Sequence, residues 1–130
     1  MTERELIDGF ERCTLPNSSF HHRDHVHVVW AYLRAMPMLD TLQRFSAALQ
    51  RFATHHGKPM LYHETITWAY VVLVHERMQR RPASDWDDFS RDNADLFAWR
   101  PSILERYYQP ETLGSELARS IFVLPDRGLH

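Results

Sequence analysis

Four of the nine histidines of the chain lie within seven residues, at His21, His22, His25 and His27. Histidine is the commonest metal ligand in proteins, and its charge changes near neutral pH. The segment that contains the four histidines, residues 19–33, becomes wholly apolar and aromatic after them. A histidine cluster at the start of an apolar helix is therefore the first candidate for metal binding or proton transfer.

The spacing of the cluster indicates which imidazoles could act together. His21 and His25 are four residues apart, and His22 and His25 are three apart. Either spacing places two rings on one face of a helix, whereas His27 points elsewhere. Two histidines form only half of a site, because a catalytic zinc or iron ion takes about three protein ligands and keeps one position open.

His63 is the strongest candidate for the third ligand. It follows a turn at Gly57–Pro59 and opens an apolar helix, as the clustered histidines open theirs. Two helix starts that meet at one end of a bundle would bring these imidazoles together, and the positive helix ends would keep them neutral. Since the Glu-x-x-His pair of di-iron helices is absent, a mononuclear site is preferred over a dinuclear one.

Three neighbours of His63 are candidates for an acid, base or orienting group. Tyr62 and Thr65 are close to it in sequence, while Glu64 projects about 100 degrees away and suits a supporting or capping role. We therefore expect a mononuclear Fe or Zn centre that activates a small substrate or a bound water. Its predicted metal ligands are His22, His25 and His63, and its predicted catalytic residues are Tyr62, Glu64 and Thr65.

Two other functions fit the same residues. In the first, the histidines bind an organic acid without a metal, so that the protein is a small-ligand-binding module. In the second, the histidines only cap helices, and exposed Trp or Tyr side chains contact a protein partner, with a homodimer as one such assembly. Because H-x-x-H spacings often arise by chance, all three hypotheses stay open, and so does the question of enzymatic activity.

Other conspicuous side chains have structural interpretations. His55 and His56 fall in the last turn of a predicted helix, where a cation is favourable, and are interpreted as a solvated cap. Arg119 is expected to hold the C-terminal tail by pairing with Asp126 rather than to bind an anionic substrate.

The composition argues against several classes of protein. A chain of 130 residues with 44% hydrophobic and 25% charged residues is long enough for one domain with one core. Its formal net charge is -2 without long blocks of either sign, so neither nucleic acid nor a membrane is an expected partner. Cys13 is the only cysteine, no apolar run reaches the roughly 18 residues of a membrane helix, and residues 1–5 lack a signal-peptide pattern. The expected location is the cytoplasm.

Caps, prolines and apolar spacing predict the helices of the N-terminal half. Thr2 and Glu5 have the spacing of a capping box, which begins a helix over about residues 3–13. Ser18 or Ser19 is the expected cap of the second helix, which should run from about residue 21 to residue 35 or 36.

Pro37 ends the second helix, and Asp40 is the expected cap of a third. The apolar residues of the third helix share one face, at Leu42, Phe45, Leu49 and Phe52. The next apolar run, at about residues 62–79, is apolar on every side in its middle and predicts a buried central helix.

Shorter elements follow the central helix. Ser84 and the acidic residues after it begin a short helix, and Pro101 is expected to open another that Pro110 closes. Ser115 begins a last short helix, and residues 123–130 form an extended tail that is ordered only if it docks. The predicted fold class is all-α: a compact single-domain bundle, residues 1–130, of five to seven helices around the central one.

Several of these motifs resemble those of a group of small bacterial all-α proteins. The group carries the pattern F-x-H-x-x-H, then Y-H-x-T, then an ending with A-R and P-D. The similar segments of this chain are residues 20–26, 62–65, 107–108, 117–119 and 125–126. The resemblance favours His22 over His21 as the partner of His25, and it implies no particular activity.

Overall fold

Seven α-helices lie in residues 1–15 and 21–128, the parts of the chain that the computed structural model describes. In these two ranges no residue belongs to a β-strand, and the β pairing is limited to an isolated bridge between Trp99 and Ser102. The predicted all-α class is confirmed. None of the helices in this part of the chain combines the length and apolar character needed to cross a membrane. The predicted cap at Ser18 or Ser19 lies outside the described residues.

The first helix, α1 (Glu3–Glu11), begins at the predicted capping box. The Thr2 amide donates to Glu5 Oε1 over 3.0 Å, and the Glu5 amide donates to Thr2 Oγ1 over 3.1 Å. These two bonds satisfy backbone donors that would otherwise lack partners at a helix start. The buried face of α1 consists of Leu6, Ile7 and Phe10.

The histidine cluster begins the second helix, α2 (His22–Ala35). His21 is the N-cap residue, and its amide donates to the Asp24 carboxylate over 2.8 Å. The helix ends before Pro37, as predicted. Its buried residues are Val26, Val28, Val29, Trp30, Ala31 and Tyr32.

The third helix, α3 (Met38–His55), begins earlier than predicted. Its N-cap is Pro37, so the prediction of Asp40 as the cap is wrong. Proline is tolerated at this boundary because its missing N–H would have no helical partner there, and Asp40 instead places a carboxylate in the first turn. Gly57 follows the helix with φ of 74°, the left-handed conformation expected after a helix end. The inward face includes Leu42, Phe45 and Phe52, with Leu49 half-buried beside them.

The predicted central helix is α4 (Glu64–Arg80), which packs against both α2 and α3. His63 is its N-cap residue. Its buried positions are Thr65, Thr67, Tyr70, Val71, Leu73 and Val74. One side of α4 reaches the surface at Val72, which is 43% exposed.

Three short helices complete the set: α5 (Trp86–Asp92), α6 (Pro110–Leu113) and α7 (Glu116–Ser120). Asp85 caps α5 through its side chain, and Ser115 caps α7 as predicted. Of these helices, α7 packs against α4 and thereby reaches the region of His63.

Two prolines act differently from the prediction. Pro101 does not open a helix; a 3-10 turn, Ile103–Arg106, begins two residues later under a capping box at Ser102. Pro110 begins α6 instead of closing a helix, because the first helical position requires no N–H.

The C-terminal tail docks against the start of α4. The Thr65 hydroxyl donates to the Ile121 carbonyl over 2.8 Å and accepts from the Val123 amide over 3.1 Å. The Tyr108 hydroxyl donates to the Val123 carbonyl over 2.8 Å. These bonds hold residues 121–123 beside the N-terminal turn of α4.

The predicted pair between Arg119 and Asp126 is wrong. The Arg119 guanidinium donates to the Met60 carbonyl over 2.8 Å and to the Tyr62 carbonyl over 3.4 Å. Asp126 accepts from the backbone amide of Gln109 over 2.9 Å and from a hydroxyl. Arg119 and Asp126 therefore each bind backbone groups of other residues instead of each other.

Candidate functional site

The N-terminal ends of α2 and α4 open on one cavity of about 720 Å³. His21, His22 and His25 line it from α2, and His63 lines it from the start of α4. The expected meeting of two helix starts therefore occurs in the fold. The buried apolar wall of the cavity is formed by Val26, Val29, Phe45, Phe52 and Tyr70.

The His22 side chain is held by one hydrogen bond and by contacts with two aromatic rings. Its Nε2 is 2.9 Å from the Leu96 carbonyl oxygen, and because a carbonyl only accepts, Nε2 carries the proton. The ring packs between Tyr70, at 4.8 Å between centroids, and Trp99, at 4.7 Å. Burial lowers the pKa of His22 from its usual value, although the bond to the Leu96 carbonyl opposes this. The imidazole is therefore neutral at neutral pH.

His25 lies on the same face as His22. Its ring contacts Phe10 edge-on, with 6.5 Å between centroids. Burial and, to a smaller extent, the nearby His22 lower the pKa of His25 to about 4, although Asp24 opposes the shift. His25 is therefore a neutral imidazole at physiological pH. His27, as the spacing predicted, is not part of the lining and stacks on Trp86 at 4.1 Å.

His63 uses both of its ring nitrogens within the fold. Its Nδ1 accepts from the Ile66 amide over 3.1 Å, which caps α4, and its Nε2 donates to the Leu113 carbonyl over 2.7 Å. These two bonds fix one neutral tautomer. Burial lowers the pKa of His63, and the positive charge of Arg119 lowers it further.

The three predicted ligands share a cavity but do not form a coordination sphere. Within residues 1–15 and 21–128, no group of three His, Cys, Asp or Glu side chains is arranged to hold a metal ion. His63 would have to give up a backbone hydrogen bond to bind one, because both of its ring nitrogens are bonded to backbone groups. The arrangement of these side chains therefore does not fit a three-histidine centre, and metal binding stays a prediction from sequence.

The three predicted catalytic residues lie in different surroundings. Tyr62 lines the cavity and donates a short hydrogen bond to Glu64, and burial raises the pKa of Tyr62 to about 12. Neither Glu64 nor Thr65 is among the lining residues. Thr65 is fully buried, with its hydroxyl bonded to the tail. Among the three, Tyr62 alone is positioned to contact a bound molecule.

The cavity also contains two basic residues that were not among the predicted site residues. Lys58, the only lysine of the chain, lies in the turn before α4, and Arg119 reaches the cavity from α7. No aspartate or glutamate lies among the described lining residues. Lys58 was part of a predicted turn, and its position at the cavity depends on tertiary packing that the local sequence does not encode.

Two polar atoms of the lining residues have no hydrogen-bond partner within the described part of the chain. They are Tyr70 Oη and His56 Nε2. Burial raises the pKa of Tyr70 to about 12, and the nearby Ser102 side chain opposes this without making a hydrogen bond that satisfies the phenol. Each such atom costs about 1–3 kcal/mol. Both are enclosed, so a bound molecule reaches them only if the lining moves.

No family model, curated protein or solved structure matches the chain.

Proposed function

We propose that this protein binds a small organic acid in the cavity between α2, α3 and α4, without a metal ion. The observation that carries the proposal is the charge of the lining: Lys58 and Arg119 contribute positive charge, and no carboxylate faces them among the described lining residues. A concave surface lined by one sign of charge attracts ligands of the opposite sign. A carboxylate is the anion that a lysine and an arginine bind with charge-assisted hydrogen bonds.

The rest of the cavity suits an apolar ligand body. Its buried wall consists of aliphatic and aromatic side chains, and about 720 Å³ is within the range of roughly 300–1,000 Å³ that is typical of small-molecule sites. Burial of an apolar body would supply most of the binding free energy, while the charged groups would orient the acid.

The histidines would respond to such a ligand. His22, His25 and His63 have lowered pKa values because they are buried. A carboxylate placed beside them would favour their charged forms, so binding would be accompanied by proton uptake. Affinity for the acid is then expected to rise as the pH falls from neutrality, because the bound carboxylate raises the lowered pKa values of these histidines.

A metal-free site is preferred to the Fe or Zn centre because of His63. Both of its nitrogens are engaged with backbone groups, and a ligand to a metal needs a free lone pair. Elemental analysis of protein purified without a histidine tag separates the two hypotheses. Stoichiometric metal that is lost in His22→Ala, His25→Ala and His63→Ala would favour the metal centre and count against the proposal.

The proposal is tested by calorimetric titration with octanoate and with the uncharged octanamide. The two probes have nearly the same size and apolar surface and differ in charge. Octanoate should bind about tenfold more tightly, since a charge-assisted hydrogen bond contributes about 1–1.5 kcal/mol more than a neutral one. Equal binding of the two probes, or binding of neither, would refute the proposal.

Lys58→Gln should remove most of the preference for octanoate and leave the binding of octanamide unchanged. Arg4→Gln is the matched control, because it also removes one positive charge but lies on the exposed side of α1, away from the cavity. If both variants weaken octanoate equally, the effect is due to net charge and not to the cavity.

A further inference from the structure

Trp99 is the most exposed of the phenylalanine, tyrosine and tryptophan side chains that line the cavity. It is 46% exposed and lines the cavity together with His22 and Tyr70. The other three tryptophans, Trp30, Trp68 and Trp86, are not among the lining residues. An indole that remains this exposed after folding leaves apolar surface in water, and such surface is available to a bound molecule.

The position of Trp99 is fixed by its neighbours. Its ring centroid is 4.7 Å from that of His22, with 34° between the ring planes. The backbone of Trp99 pairs with Ser102 across the turn that contains Pro101. The indole is therefore held against α2, and it needs no large rearrangement to receive a ligand.

Three rings form one continuous part of the cavity wall. Tyr70 contacts His22 edge-on at 4.8 Å, and His22 in turn contacts Trp99. Aromatic rings prefer other rings in stacked or edge-on arrangements at centroid separations of about 4.5–7 Å. A planar ring in the cavity would find such partners along this wall, which we call the aromatic wall (Tyr70, His22 and Trp99).

We propose that the bound acid is an arylalkanoic acid whose ring packs against Trp99 of the aromatic wall. This inference rests on the proposed function, because Lys58 and Arg119 of the same cavity would attract the carboxylate. The opposing hypothesis is that the wall provides only apolar surface. In that case a saturated acid of the same size would bind at least as tightly as the aromatic acid. A saturated ring system is the more hydrophobic of the two, so a preference for the aromatic acid requires ring–ring contacts.

The experiment compares two acids of matched shape, 3-(2-naphthyl)propanoate and 3-(2-decahydronaphthyl)propanoate, by calorimetric titration. The aromatic acid should bind about 2- to 12-fold more tightly, the range that corresponds to the usual contribution of an aromatic pair. Its binding should also change the indole fluorescence, since Trp99 lines the cavity. Equal or weaker binding of the aromatic acid would overturn this inference while leaving acid binding intact. Failure of both acids to bind would overturn the proposed function as well.

Trp99→Leu should abolish the preference for the aromatic acid and leave the affinity for the saturated acid within about twofold. Trp86→Leu is the matched control, because Trp86 also contacts a histidine ring, His27 at 4.1 Å, but lies outside the cavity lining. Loss of the preference in both variants, or in neither, would count against a specific role for Trp99.

Discussion

Replacement of His25 by glutamine should remove a defined part of the acid sensitivity of the fold. In the folded protein, burial and the nearby His22 lower the pKa of His25 from 6.5 to about 4. In the unfolded chain the imidazole regains a pKa of about 6.5. Between these two values the unfolded state binds the proton more readily than the folded state does.

The direction and size of the effect follow from these two pKa values. The contribution of neutral His25 to stability is complete above about pH 6.5, decreases as the pH falls, and changes no further below about pH 4. A pKa difference of about 2.5 corresponds to at most about 3 kcal/mol, and about 2 kcal/mol of this is lost by about pH 5. Because His25 lines the cavity, water there lowers these figures.

The assay is urea unfolding, followed by circular dichroism, at about pH 7.5 and about pH 5. The free energy of unfolding of the wild type should fall by about 2 kcal/mol more than that of His25→Gln between the two pH values. The change in unfolding free energy between the two pH values is compared for each protein separately. Any destabilisation by the substitution that does not depend on pH therefore cancels. His55→Gln, at an exposed position in the last turn of α3, should lose as much stability as the wild type. Equal losses in the wild type and in His25→Gln would refute the burial argument.

Three further substitutions test the packing around the site, each measured by urea unfolding at neutral pH. Thr65→Val should cost about 2 kcal/mol, because it leaves the Ile121 carbonyl and the Val123 amide without their buried partner; an unchanged midpoint would show that the tail is not held by these bonds. Phe10→Ala should cost about 3–5 kcal/mol, since Phe10 is fully buried and stacks between two other rings. Asp85→Ala should cost about 1 kcal/mol through loss of the α5 cap, and a much larger loss would indicate a role beyond capping.

The helices could be predicted wherever their determinants are local. The capping box at Thr2 and Glu5 and the stop at Pro37 both occur as predicted, because each depends on residues that are close in sequence. Asp40 was wrong as a cap because proline permits the helix to begin earlier, which places Asp40 in the first helical turn. The local sequence therefore predicts the presence of a helix more reliably than it predicts the first residue of that helix.

The site could be predicted only in part. The clustering of His22, His25 and His63 follows from their places at helix starts, and the structure brings them to one cavity. Thr65 was chosen because it is close to His63 in sequence, yet successive helical residues point about 100 degrees apart, and its side chain faces the tail. Trp99 was missed because it lies in a turn whose path is set by long-range packing.

The bonds between α4 and the C-terminal tail also bear on the order of folding. His63, Thr65 and the carbonyl of Tyr62 are bonded to residues that lie 50 to 58 positions later in the chain. During synthesis, α1 to α4 can therefore be complete while one wall of the cavity still lacks these partners. The cavity reaches its final form only after residues 113–123 have also been synthesised, so assembly of the site follows completion of α1 to α4.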